Sequence, residues 1–188
     1  MKNNNPERGR MLKAKTTRFG ELEVPEEDII LFKDGLLGFP EARKFVILND
    51  PTIEPLRWLQ SLDEQELAFV IIDPLRFRNE YGVDLSDSDV ESLELSGPEE
   101  AMLYAIVVIP RDKPEKMTAN LQGPIVINAV KKLARQVISS ERTHCTKHYV
   151  LEEMKQMLAS EKRKSEKSTS NIVIKRKRTA PQEKAEEV

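Results

Sequence analysis

The chain has 188 residues, of which 33% are charged, with a formal net charge of −2 and one cysteine, Cys145. That length allows one domain of about 140 to 150 residues plus ends that need not fold. The single thiol excludes an intramolecular disulfide framework. No stretch approaches the roughly 20 apolar residues of a membrane span, and the polar start MKNNNPERGR lacks the apolar centre of a signal peptide, so the sequence predicts a cytoplasmic protein. The near-zero net charge hides a segregation. Residues 1–18 carry six Lys/Arg against one acid, 160–188 carry nine against five, and 19–159 carry 15 against 26. So acidic a body repels phosphate backbones and attracts basic protein surfaces, which argues against nucleic acid as its direct ligand.

In chain order, the apolar runs are short, rich in Val, Ile and Phe, and bounded by Gly, Pro or Asp, the pattern of strands. The expected strands are Leu12 to Thr17, Gly20 to Val24, Ile29 to Phe32, Lys44 to Leu48, Ala68 to Ile72, Met102 to Ile109, Thr118 to Leu121, Ile125 to Asn128 and Gln136 to Ser139. Arg18-Phe19-Gly20 joins the first two as a hairpin. Helical signals are fewer. Pro55 to Leu62 can form a turn or two, Ser86 and Asp89 form a capping box opening a helix over Asp87 to Leu93, and Leu151, Met154, Met157 and Leu158 recur at helical spacing from about His148. The expected class is all-β: a compact barrel-like domain of short antiparallel strands, a few short helices and a C-terminal helix. Residues 1–10 form a flexible basic extension, 11–159 the domain, and 160–188, poor in apolar residues, a disordered basic tail. Within that tail Ile172-Val173-Ile174 precedes the basic tetrad Lys175-Arg176-Lys177-Arg178.

Catalytic chemistry has little to build on. His144, Cys145 and His148 are the only candidates for a nucleophile or metal cluster, and no further His or Cys completes a tetrahedral site. The seven glycines show no phosphate-cradling spacing. The chain is therefore expected to be no enzyme, with no metal and no cofactor.

The residues that could meet a partner each have a structural alternative. Trp58 suits either a core or an interface anchor. Asp63, Glu64 and Glu66, like the run Asp84, Asp87, Asp89, Glu91 and Glu94, are a solvated face or an interaction patch. Asp73 before Pro74 suits a turn. Asn120, Gln122 and Asn128 are amides within an apolar strand region, where they either face a partner or fix the Gly123-Pro124 turn through backbone hydrogen bonds. A second reading makes the basic ends a nucleic-acid-binding module.

Taken in order, Phe19-Gly20-Glu21-Leu22-Glu23-Val24, IILFKDGLLGFP at 29–40, WLQS at 58–61, LAFVIIDP at 67–74 and TANLQGPIVIN at 118–128 resemble the flagellar assembly factor FliW family over about residues 12–150. The resemblance implies a barrel-like, non-enzymatic, chaperone-like protein with two partners: flagellin, and the RNA-binding translational repressor CsrA. An acidic body fits antagonism of a basic repressor, and flagellin is expected to use a different, apolar surface. Both ends exceed the resemblance, so the basic tail inherits no role from it.

Overall fold

The computed structural model describes residues 10–170. Strands β1 (Met11–Thr16) and β2 (Gly20–Pro25) form an antiparallel hairpin with Met11 opposite Pro25 and Thr16 opposite Gly20. Gly20 takes φ +71°, the left-handed conformation this tight turn needs. The remaining strands are β3 (Ile30–Phe32), β4 (Lys44–Asn49), β5 (Arg57–Ser61), β6 (Ala68–Ile72), β7 (Ala101–Val108), β8 (Thr118–Ala119), β9 (Ile125–Asn128), β10 (Leu133–Gln136) and β11 (His148–Tyr149). Antiparallel pairing runs β3-β4-β5-β6-β7, and β10 joins β3 in parallel. Because β9 pairs with both β10 and the first half of β7, seven strands close into a barrel. The pair β8-β11 extends the sheet from the second half of β7.

The period of two then sorts side chains into an inner and an outer set. Inside lie Ile30, Phe32, Phe45, Leu59, Ile71, Tyr104, Ile125, Ile127 and Ala134, with Phe32 and Phe45 in edge-to-face contact at 5.1 Å. Two further apolar clusters cover the outer face. Helix α1 (Asp87–Leu93) buries Leu93 against Val126 and Val137. Helix α2 (Val150–Ser170) starts by packing Val150 and Met154 onto Ile72, Ala105, Val107 and Ala119. No helix among the described residues is long and apolar enough to cross a membrane.

Several expectations are corrected. The helix expected over Pro55 to Leu62 is instead a turn followed by β5, which hydrogen-bonds to β4 on one side and β6 on the other. Tertiary pairing overrides the weak local helical signal, and the residues obey the strand period, with Leu59 inward and Trp58 and Gln60 outward. The strand expected over Gln136 to Ser139 is β10, three residues earlier, because the left-handed Lys132 (φ 57°) ends a tight turn after β9 and releases the chain into pairing at Leu133. The strand at Thr118 stops at Ala119, since the Leu121 and Gln122 amides donate to the Cys145 carbonyl instead. The C-terminal helix runs to Ser170, beyond the boundary expected at 159, so the first part of the expected disordered tail is helical. Residues 1–9 and 171–188, which include most of the expected N-terminal extension and the Ile172 to Arg178 segment, lie outside the described residues.

Candidate interaction surface

The three amides have different surroundings. Asn128 is fully buried and uses both ends of its side chain. Its Nδ2 donates to the Leu93 and Glu94 carbonyls, each at 3.0 Å, and its Oδ1 accepts from the Val130 and Lys131 amides at 2.9 and 3.0 Å. The C-terminus of α1, where Glu94 takes the left-handed φ of 53°, is thereby fastened to the turn between β9 and β10. Asn120 accepts from the Gly123 amide at 3.0 Å and shapes the turn before Pro124, while Gln136 donates to the Gly123 carbonyl at 2.9 Å. Gln122 is exposed.

Asp63 accepts from the Arg43 and Lys44 amides at 2.8 and 2.7 Å, capping the start of β4. Glu64 and Glu66 are exposed on the same β5–β6 turn, and among the described residues they make no ion pair. The Thr17 amide donates to the Gln65 carbonyl at 3.0 Å, which sets the tip of the β1–β2 hairpin beside this turn. From there Arg18 lies 4.3 Å above the Trp58 ring and Phe19 meets it edge-on at 5.7 Å. Trp58 is therefore a half-buried outer-face residue rather than part of the barrel core. Asp73 accepts from the Leu75 amide at 2.9 Å and caps a short 3-10 turn. The structure thus brings Trp58, Asp63, Glu64 and Glu66 around the hairpin tip and leaves Asp73, Asn120, Gln122 and Asn128 elsewhere.

His144 and His148 are held apart by their own partners. His144 Nδ1 and Ser139 Oγ are 2.7 Å apart, and the ring rests on Tyr81 at 4.7 Å. Burial, helped by the Arg78 charge, pushes the His144 imidazole below its ordinary value. His148 accepts the Cys145 amide at Nε2 (3.0 Å) and bonds Glu153 through Nδ1 (2.7 Å), with Glu153 also paired to Arg78 at 3.1 Å. That arrangement suits a neutral His148 donating from Nδ1, and it ties β11 to the first turns of α2. Among the described residues no group of three His, Cys, Asp or Glu side chains could hold a metal ion.

Two exposed apolar features were not singled out by the sequence reading. One is the segment after β3, where Leu37 and Phe39 are 55% and 37% exposed and Phe39 leans edge-on against Phe69 at 5.5 Å. The other is a groove beside α1, lined by Val83, Leu85, Val90, Leu95 and Leu103. The signal for the groove was present as alternation of apolar and acidic residues over 83–95, but the charges dominate that stretch when it is read alone.

A family model described as FliW protein matches residues 13–150. The flagellar assembly factor FliW of Syntrophus aciditrophicus is 47% identical over 127 residues, covering 68% of this chain and 80% of the relative. That of Treponema denticola is 40% identical over 143 residues, covering 76% and 96%. A crystal structure of the flagellar assembly factor FliW superposes with a TM-score of 0.69 at 38% identity, covering 74% of this chain and 96% of that one. Nearly all of α2 and everything after it lie beyond the family match. With the barrel and the residues that build it matched throughout, the chain belongs to the FliW family of non-enzymatic flagellar assembly factors.

Proposed function

We propose that this chain works in the cytoplasm as a partner switch, binding flagellin in a chaperone-like manner and antagonising the RNA-binding repressor CsrA. The observation that carries the reading is the acidity of the family-matched body, with 26 acidic against 15 basic residues over 19–159. A repressor that holds RNA presents a basic surface to phosphates, so an acidic protein bound on or beside it disfavours RNA without reading a base. Glu64 and Glu66, exposed beside the hairpin tip and Trp58, supply charge next to an aromatic anchor. Leu37 and Phe39 supply a separate apolar surface, suited to the amphipathic segments of a filament subunit before it is exported. If the two partners bind with negative coupling, unexported flagellin withdraws the protein from the repressor and flagellin synthesis falls; the coupling is reciprocal by linkage.

The test is association kinetics with purified CsrA at low and high salt. Glu64→Lys with Glu66→Lys is expected to slow association several-fold at low salt, with little change at high salt and none in the folding midpoint. Asp63 is left intact because its carboxylate caps β4. Equal association rates for wild type and the double variant at low salt would remove this turn from the repressor interface.

A further inference from the structure

The groove beside α1 has a volume of about 430 Å³ and is walled by Val83, Leu85, Val90, Leu95 and Leu103. Its rim is acidic. Asp84 stands exposed between two wall residues, Glu91 follows Val90, and the Glu99 carboxylate lies over Gly97, close enough to collide with a Cβ built there. Among the described residues these three carboxylates make no ion pair. A short apolar slot with such a rim selects a ligand that carries a few branched aliphatic side chains followed directly by positive charge.

The chain contains that ligand. Ile172-Val173-Ile174 is the only run of three apolar residues in 160–188, and Lys175-Arg176-Lys177-Arg178 follows it without a spacer. We propose that residues 172–178 dock into the α1 groove of their own chain, the aliphatic triplet in the slot and the basic tetrad on the rim. The reach is suitable. Asn79 Nδ2 donates to Ser160 Oγ at 3.4 Å, an exposed contact between α2 and the body. From Asn79 the groove begins at Val83, four residues on, at most about 14 Å away. From Ser160 the helix carries the chain about 15 Å to Ser170, and two more residues add about 7 Å. Both arms leave one contact, so their ends lie no more than about 36 Å apart. The docked tail neutralises part of the acidic face. This inference does not depend on which partners the protein has.

Methyl NMR on the full-length protein tests it. The full-length variant Ile172→Asp, Val173→Asp, Ile174→Asp is expected to shift the Val83, Leu85, Val90 and Leu95 methyl signals while leaving Ile30 and Ile71 in the barrel unmoved. Raising the salt from about 0.05 to 1 M, which shortens the Debye length several-fold, moves the wild-type groove signals toward the variant positions. Wild-type positions that hold on tenfold dilution support docking within one chain. Groove signals identical in wild type and variant would overturn the proposal, and concentration-dependent positions would overturn it in favour of a second copy's tail.

Discussion

Replacing Asn128 by Ala removes four hydrogen bonds at one buried point and should be among the most destabilising single changes in the fold. The Leu93 carbonyl sits in a buried contact and loses its donor, at a cost of about 1 to 3 kcal/mol for an unmet buried group. The Glu94 carbonyl and the Val130 and Lys131 amides are part-buried, recover water, and forfeit a net of about 0.5 to 1 kcal/mol each. The expected loss is about 3 to 5 kcal/mol. With a urea slope of about 2 kcal/mol/M, the midpoint falls by about 2 M. The lone Trp58 reports it by fluorescence, since its contacts with Phe19 and Arg18 disappear on unfolding. Asn128→Asp keeps the acceptor but turns a carboxylate oxygen toward two carbonyls, and is expected to be at least as damaging. A loss below about 1 kcal/mol for Asn128→Ala with an unchanged slope would refute the view of Asn128 as the joint between α1 and the barrel.

Two pH effects follow from the cluster at Tyr81. His144 is held below its ordinary value of 6.5, so the folded state prefers the neutral ring, and its contribution is complete above that value and lost as pH falls below it toward the folded one. The urea midpoint should therefore drop less between pH 8 and 5 in His144→Gln than in wild type; equal drops would count against the buried neutral imidazole. Burial pushes the Tyr81 phenol up to about 12, with the Arg78 charge opposing, and its hydroxyl donates to the Leu121 carbonyl at 2.9 Å. Its contribution is intact below pH 10 and lost between 10 and about 12. Phenolate absorbance should show one of the three tyrosines ionising last, and Tyr81→Phe should remove that step.

The sequence made the barrel legible where apolar residues run together between turn residues, as at Phe45 to Leu48 and Ile125 to Ile127. The hairpin at Gly20 and the capping box at Ser86, where Asp89 bonds back to the Ser86 amide and hydroxyl, are local chemistry and emerge as expected. β5 was hidden because its strand character is conferred by neighbours on both sides rather than by its own residues. β10 was displaced because its start is set by a left-handed lysine, which few sequence signals announce. Of the candidate residues, Asp63 and Asn128 carry polar groups suited to recognition, yet their atoms are spent on backbone amides and carbonyls. Only the folded structure separates these two from Glu64 and Glu66, the exposed neighbours of Asp63.

The parallel pairing of β3 with β10 has a consequence in time. Ile30 to Phe32 must wait for Leu133 to Gln136, about a hundred residues later, before the ring can close. At translation rates of about 5 to 20 residues per second, that is a delay of about 5 to 20 s. Throughout it the growing chain presents an incomplete sheet whose β3 edge is unpaired and whose apolar inner face lacks β9 and β10. Contacts this distant in sequence also slow folding once synthesis ends. A protein of this build is therefore most vulnerable to aggregation during its own synthesis, and its yield in the cell will depend on how quickly the last strands arrive.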